Sequence, residues 1–390
     1  SRLMPDRKLR MGMVGGGAGS FIGAVHRIAA ALDQQIDLVA GVFSRDEANS
    51  AETAARLHVA RHYKTYEEMA LAEAALPADQ RIDFVSIVTP NNAHFGPAKA
   101  FLEAGIHVIC DKPLALTLEQ AEELVKIVEK SKLVFALTHN YTGHPLIRHA
   151  RHLFTSGQMG TVRKVLVEYL QDWLMKPQEK LGSKQAGWRT NPAESGIGGA
   201  LGDIGTHALN LVEYVTGDPL DAICADTSIF LPGRTLDEDV NALMRFKGGG
   251  KGVLTISQIA CGEENGLTLR VYGSEGSISW AQENPNYMQV WRHGKPRETV
   301  TRGHAEYLAA EATAVTRIPT GHPEGYLEAF ATIYVDATAA IRRHIAGNPM
   351  TREEYRFPTV YDGLRGMQFI YKAVESAQKG AVWVPMPERS

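Results

Sequence analysis

The run Gly15-Gly16-Gly17-Ala18-Gly19-Ser20, placed at the end of the apolar segment 9–15, constrains this chain more than any other feature. An apolar segment that stops at clustered glycines and resumes as the helical spacing Phe21, Ile22, Val25, Ile28, Ala29, Leu32 reads as strand, tight turn and helix. Gly15 and Gly17 match the first two glycines of G-x-G-x-x-G, where the backbone must approach an anion with no Cβ in the way. Ser20 stands at the third position, and Gly23 follows. Either Ser20 tolerates the packing or the loop is extended. The N-terminus of the following helix favours a phosphate.

Strands over 36–43, 84–89, 107–110 and 133–138 alternate with helical periodicities. Thr117-Leu118-Glu119-Gln120 reads as a capping box, and Ala121, Leu124, Val125 and Val128 repeat behind it at helical spacing. This βαβ rhythm predicts an α/β chain whose residues 1–140 form a Rossmann dinucleotide-binding domain, with ligands along the C-terminal edge of its sheet. Beyond about residue 160 the pattern changes. Strands over 162–173, 222–231, 241–246, 252–260, 267–272 and 277–280 are joined by turns such as Gly248-Gly249-Gly250 and Gly273-Ser274-Glu275-Gly276. With helices over 199–216, 324–346 and 360–378, residues 141–390 are expected to form an α+β domain for substrate binding and self-association. Its sheet is largely antiparallel and open, and the last helix is available to pack back on the first domain.

A length of 390 residues exceeds what one core usually serves. The net charge of −3, with no long single-sign run, gives no footprint for nucleic acid or an anionic membrane. No apolar run approaches the roughly 20 residues that span a bilayer. The basic start lacks the apolar stretch of a secretory signal. Cys110, Cys224 and Cys261 lie far apart, which argues against a disulfide framework or a structural metal and for a reducing cytoplasm.

Two strand ends carry the candidate chemistry: Thr89-Pro90-Asn91-Asn92-Ala93-His94 and Cys110-Asp111-Lys112-Pro113. Thr89, Pro90, Asn91, His94, Asp111 and Lys112 therefore join Gly15, Gly17, Ser20, Phe21 and Ile22 as cofactor-binding candidates. Pro113 stops the strand and biases Lys112 to an extended conformation, so its ammonium is expected to project into the crevice. Ser44-Arg45 after the second strand leans toward the 2′-phosphate of NADP, while nearby Asp46 keeps NAD open. In 201–215 an apolar stripe of Leu201, Ile204, Ala208, Leu211, Val212 and Val215 is matched by a polar one of Asp203, His207, Asn210 and Tyr214. An acid, an imidazole, an amide and a phenol on one helical face suit a polar cavity; a capping aspartate and a histidine satisfied at a domain interface are the alternative. Trp188, Arg189, His322 and Tyr326 are further substrate-pocket candidates, with ordinary packing as the competing reading.

Together the glycine loop, the T-P-x-x-x-H run at 89–94, Asp111-Lys112-Pro113, the G-G-x-L-x-D-x-G-x-H block at 198–207 and the closing helix resemble the Gfo/Idh/MocA family. The resemblance implies catalysis by Lys112, from the E-K-P motif, and by Asp203 and His207, from D-x-G-x-H-x-x-D. It implies reversible hydride transfer between nicotinamide and a secondary hydroxyl or ketone of a sugar, polyol or inositol-like substrate. His207 would then be general base, Lys112 would stabilise the alkoxide, and Asp203 would orient the imidazole or hold a substrate hydroxyl. A homodimer or homotetramer is implied as well. Asp111 replaces the motif's glutamate and Asn210 its final aspartate. An NAD-dependent glycosidase using transient oxidation and a non-catalytic dinucleotide-binding regulator are the two competing functions.

Overall fold

The computed structural model describes residues 5–390, apart from the side chains of residues 185, 188 and 194. The chain divides into two units. One holds the chain up to Asn140 together with Leu327–Leu364, and the other holds Tyr141–Tyr326 and Arg365–Ser390.

The first unit alternates β1 (Leu9–Gly15), α1 (Phe21–Leu32), β2 (Ile36–Val42), α2 (Glu47–Arg56), β3 (Arg61–His62), α3 (Tyr66–Ala75), β4 (Phe84–Val88), α4 (Phe95–Glu103), β5 (His107–Cys110), α5 (Leu118–Ser131) and β6 (Phe135–Leu137). Among the described residues these strands form a six-stranded sheet in the order β3-β2-β1-β4-β5-β6, with every pair parallel. That is the doubly wound Rossmann order, with its switch point between β1 and β4. Phe84, Val85, Ile87, Val108 and Ile109 are buried on both faces of the sheet, which is why β4 and β5 read as unbroken apolar runs. Helix starts are fixed by side-chain caps from Ser20, Asp46, Thr65 and Thr117, each worth about 1 kcal/mol.

The second unit contains α6 (Pro145–Thr155), β7 (Val162–Leu170), α7 (Lys184–Arg189), α8 (Pro192–Ser195), α9 (Thr206–Thr216), β8 (Leu220–Ser228), β9 (Asp239–Phe246), β10 (Lys251–Ser257), β11 (Gly266–Gly273), β12 (Gly276–Ala281), β13 (Tyr287–Arg292), β14 (Glu298–Thr301) and α10 (Ala310–Thr313). Then α11 (Tyr326–Ile345) enters the first unit, α12 (Val360–Gln378) runs from the first into the second, and β15 (Val384–Pro385) follows. Among the described residues nine strands form one sheet, β14-β13-β12-β11-β7-β10-β9-β8-β15. It is antiparallel except where β7 lies parallel to β10. Alternate residues such as Val165, Val167, Leu254, Ile256, Leu269 and Val271 face the core, as do Leu211, Val212 and Val215 of α9; each such burial contributes about 1.5–3 kcal/mol. Glu213 of α9 is buried against Arg365, whose Nη2 lies 3.1 Å from its Oε2. Removing either partner would strand a buried charge, at a cost of about 3–5 kcal/mol.

Several sequence expectations are corrected. Strand 222–231 ends at Ser228, because the Glu238 carboxylate takes the backbone N–H groups of Phe230 and Leu231. Strand 133–138 begins at Phe135, because Val134 N donates to His107 Nδ1. The capping box at Thr117 is half formed: Thr117 accepts from Gln120 N, but Gln120 Oε1 accepts from Leu116 N. The short edge strands β3 and β15 and the outer pair β13 and β14 were not predicted. On α1, Phe21, Ile28 and Leu32 face outward, while Gly23, Val25, His26, Ala29 and Ala30 form the buried face.

Candidate active site

In the first unit the candidate residues stand at the C-terminal ends of β1, β2, β4 and β5. Gly15 leaves β1 with φ +90°, and a Cβ there would lie 2.9 Å from Thr89 N. A Cβ on Gly17 would lie 2.8 Å from Phe43 O. The third close-packing glycine is Gly23, where a Cβ would come within 2.4 Å of Gly16 Cα. Ser20 is instead the N-cap of α1, its Oγ accepting from Gly23 N over 3.2 Å. The loop is therefore the extended form: capping and close packing, usually within one turn, are split between Ser20 and Gly23. Phe21 and Ile22 open α1, whose first N–H groups point out of the helix end. Arg27 props the loop from behind, donating from Nη1 to Gly16 O over 2.8 Å.

After β2, Ser44 Oγ accepts from Asp46 N over 3.1 Å, and Asp46 Oδ1 accepts from Ala48 N and Asn49 N at 3.0 and 3.3 Å. Asp46 is thus occupied as the cap of α2, and Arg45 is exposed. After β4, Thr89 Oγ1 donates to Ala93 O over 2.9 Å, Pro90 is exposed and Asn91 is buried. His94 lies between two carbonyls, with Nδ1 2.7 Å from Pro113 O and Nε2 2.6 Å from Thr89 O. Its ring therefore ties the loop after β4 to the loop after β5. Burial holds this imidazole below the ordinary histidine value, against the pull of Asp111 and the two carbonyls. Lys112 is half-buried and precedes a cis bond to Pro113. Asp111 turns inward, accepting from Thr138 Oγ1 over 3.0 Å.

In the second unit Asp203 stands on a π-helical turn, Leu201–Gly205, that precedes α9. The helix expected over 199–216 is therefore two segments, a π-helical turn carrying Asp203 and an α-helix, α9, carrying His207, Asn210 and Tyr214. The turn is anchored by Asp237, which accepts from Gly199 N and Leu201 N at 2.7 and 2.8 Å. Asp203 accepts from Arg189 Nε over 3.1 Å and from Gln258 Nε2 over 2.6 Å. Arg189 also lies over the Trp173 ring, 5.4 Å from its centroid. His207 is buried edge-on to Tyr141, ring centroids 4.8 Å apart. Tyr141 and Tyr169 share a 2.5 Å hydroxyl contact. Tyr169 donates to Asn265 Oδ1 over 2.7 Å, and Asn265 Nδ2 donates back to Tyr141 over 3.2 Å. Burial pushes both phenols above their ordinary value. Tyr326 joins this group, 6.1 Å from the Tyr141 ring.

Residues 9–139 match the profile described as the oxidoreductase family with an NAD-binding Rossmann fold, and 147–279 match the GFO/IDH/MocA C-terminal domain. The uncharacterized oxidoreductase YfiI of Bacillus subtilis (strain 168) is 32% identical over 385 residues, 97% of each chain. The chain belongs to the Gfo/Idh/MocA oxidoreductase family. Among solved structures, an oxidoreductase from Sinorhizobium meliloti is 44% identical with TM-score 0.87, covering 97% of this chain and 100% of that one. An inositol dehydrogenase homolog from Azotobacter vinelandii, complexed with NADH and myo-inositol, is 34% identical with TM-score 0.90, covering 98% and 99%.

As a member of this family the chain is a dehydrogenase or reductase. Its fold gathers the glycine loop, Thr89, His94 and Lys112 along neighbouring strand ends of one sheet, and Arg189 with Asp203 and Tyr326 with Tyr141 in the other unit. His322 is exposed, 3.1 Å from Pro319 O, and is not part of the Tyr141 group described above. Asn210 is half-buried on α9, and the Trp188 side chain lies outside the described residues. Sequence reasoning missed Arg27, Tyr141, Tyr169, Gln258 and Asn265. Tyr141, Tyr169, Gln258 and Asn265 come from separate segments with no shared spacing, so no local signal marks them.

Proposed function

We propose that this enzyme transfers a hydride between a nicotinamide dinucleotide and a secondary hydroxyl or ketone of a sugar, polyol or inositol-like substrate. The reading is carried by one observation: a glycine cradle in which a Cβ at Gly15, Gly17 or Gly23 would run into backbone, at the switch point of a parallel sheet, with Lys112 following a strand end two places along. Such a cradle and helix end fit a pyrophosphate. Gly15, Gly17, Ser20, Phe21 and Ile22 would hold it, with Thr89, Pro90, Asn91 and Asp111 shaping the neighbouring strand ends and His94 fixing their loops. When bound, the nicotinamide accepts or returns the hydride.

The protein's own part is proton and charge management. His207 takes the hydroxyl proton, imidazole being the side chain whose ordinary titration lies nearest neutrality. The Lys112 ammonium stabilises the developing alkoxide. Asp203, fixed by Gln258, orients the imidazole or, with Arg189, Asn210 and Tyr326, holds substrate hydroxyls.

Ser44 and Arg45 favour NADP, because Asp46 is already committed to capping α2. Turnover measured with each cofactor tests this; a clear preference for NAD removes the Arg45 assignment. The first unit serves as the dinucleotide domain and the second binds substrate and self-associates. Leu243, Val253 and Leu166 stand side by side across three strands, away from the core, and Leu243 is 51% exposed, which supports a homodimer or homotetramer. Three free cysteines fit a reducing cytoplasm. Among the described residues no helix is long and apolar enough to cross a membrane.

Absorbance of reduced nicotinamide across a panel of polyols, sugars and keto-sugars tests the function. Conversion of a cyclic polyol or sugar supports it. Hydrolysis of a glycoside without net cofactor reduction, or tight cofactor binding with no conversion, contradicts it.

A further inference from the structure

We propose that Asp111 is the positioning residue for Lys112, fixed by a buried hydrogen-bond chain that starts on the helix following the glycine loop. Its meaning for catalysis rests on the function proposed above. His26 of α1 is fully buried, as is Ser86 of β4, and Tyr334 of α11 is nearly so. His26 Nδ1 lies 2.6 Å from Tyr334 Oη, and Tyr334 Oη lies 2.7 Å from Ser86 Oγ. On the other side of the imidazole, Nε2 lies 3.5 Å from Asp111 Oδ1, which also accepts from Thr138.

One proton assignment satisfies every member. Ser86 donates to Tyr334, Tyr334 donates to His26 Nδ1, and His26 Nε2–H donates to the acceptor-only carboxylate of Asp111. A closed set of buried partners is rigid, because breaking any link leaves a polar group unpaired in a low-dielectric interior. Burial alone would push the Asp111 carboxyl up, but the hydrogen bond from His26 and the charge of Lys112 outweigh it and hold the group below its ordinary range. The carboxylate therefore stays ionised and stays put.

Both chain neighbours of Lys112 are thus pinned: Asp111 by His26 and Thr138, and Pro113 through its carbonyl by His94. The pin on Asp111 runs to α1, whose N-terminus begins at the glycine cradle. This chain of side chains sets the position of the backbone that carries Lys112 relative to the glycine cradle.

The test uses the full-length chain with isotope-labelled, reductively methylated lysines, whose dimethylamine NMR signals report local surroundings without any substrate. Loss of one signal in Lys112→Ala assigns it. Tyr334→Phe, which keeps the ring, and Asp111→Asn, which keeps the shape, are expected to move that signal, whereas Asp111→Glu leaves it near its wild-type position. A Lys112 signal unmoved in both Tyr334→Phe and Asp111→Asn overturns the proposal, whatever the substrate proves to be. With a polyol that is turned over, Asp111→Asn lowers kcat about 10- to 100-fold, more than it changes the cofactor KM. A loss of cofactor affinity in step with a fall in Tm, with no separate loss in kcat, marks a purely structural role and overturns it as well. A wild-type enzyme that converts nothing defeats the proposed function alone.

Discussion

Gln258 donates from Nε2 to Oδ2 of Asp203 over 2.6 Å, while Arg189 donates from Nε to Oδ1 over 3.1 Å. Both oxygens of the carboxylate are therefore engaged, and Asp203 is fixed in orientation on its π-helical turn. Gln258→Leu removes the shorter of these two bonds and leaves one oxygen without that donor. The expected result is a fall in kcat/KM of about 10-fold, equivalent to about 1.4 kcal/mol, read by steady-state kinetics at unchanged cofactor affinity. Wild-type kinetics would show that Asp203 needs no such support.

Gly23 packs against the backbone of the glycine loop, and a Cβ there would lie 2.4 Å from Gly16 Cα, where no flexible atom can give way. Gly23→Ala is expected to cost about 1–3 kcal/mol in stability and to weaken cofactor binding, because the loop must move outward. Urea unfolding and quenching of reduced-nicotinamide fluorescence measure the two effects. A variant with wild-type values in both would return the close-packing role to Ser20.

Burial holds His107 and His139 down to about 3, helped by His344 in the first case and Lys112 in the second, and burial alone holds His144 down to about 3. In the unfolded chain each titrates near ~6.5. Below that pH the unfolded chain binds protons that the folded chain refuses, so stability is lost as pH falls from about 6.5 toward about 3. Each buried neutral histidine contributes a slope of about 1.4 kcal/mol per pH unit inside that window. Urea midpoints taken between about pH 7 and about pH 5 should therefore drop, and His144→Gln should make the drop shallower. A flat profile would mean that these rings accept protons in the folded state.

The first unit was readable because its strands are buried on both faces: β1 and β5 have the bounds that their apolar runs announced. The large antiparallel sheet was readable from alternation and glycine turns, but β13 and β14 flank the charged stretch Arg292 to Arg297 and were hidden by it. The π-helical turn was not legible, since one wider turn leaves the apolar spacing of Leu201, Ile204 and Ala208 intact. The roles of Ser20 and Gly23 were ambiguous because both residues suit a loop, and only the close approach of Gly23 to Gly16 separates them. His26 and the group of Tyr141, Tyr169 and Asn265 depend on contacts across distant segments. No spacing in the chain encodes them.

Single-turnover hydride transfer in Lys112→Ala and His207→Ala, with cofactor affinity measured in the same samples, tests the central claim most directly. The account predicts that transfer to or from an accepted polyol slows by about 100-fold or more in each variant, the scale of a lost general base or alkoxide-stabilising charge, while the cofactor still binds within about 3-fold of wild type. Transfer at the wild-type rate in either variant would contradict it.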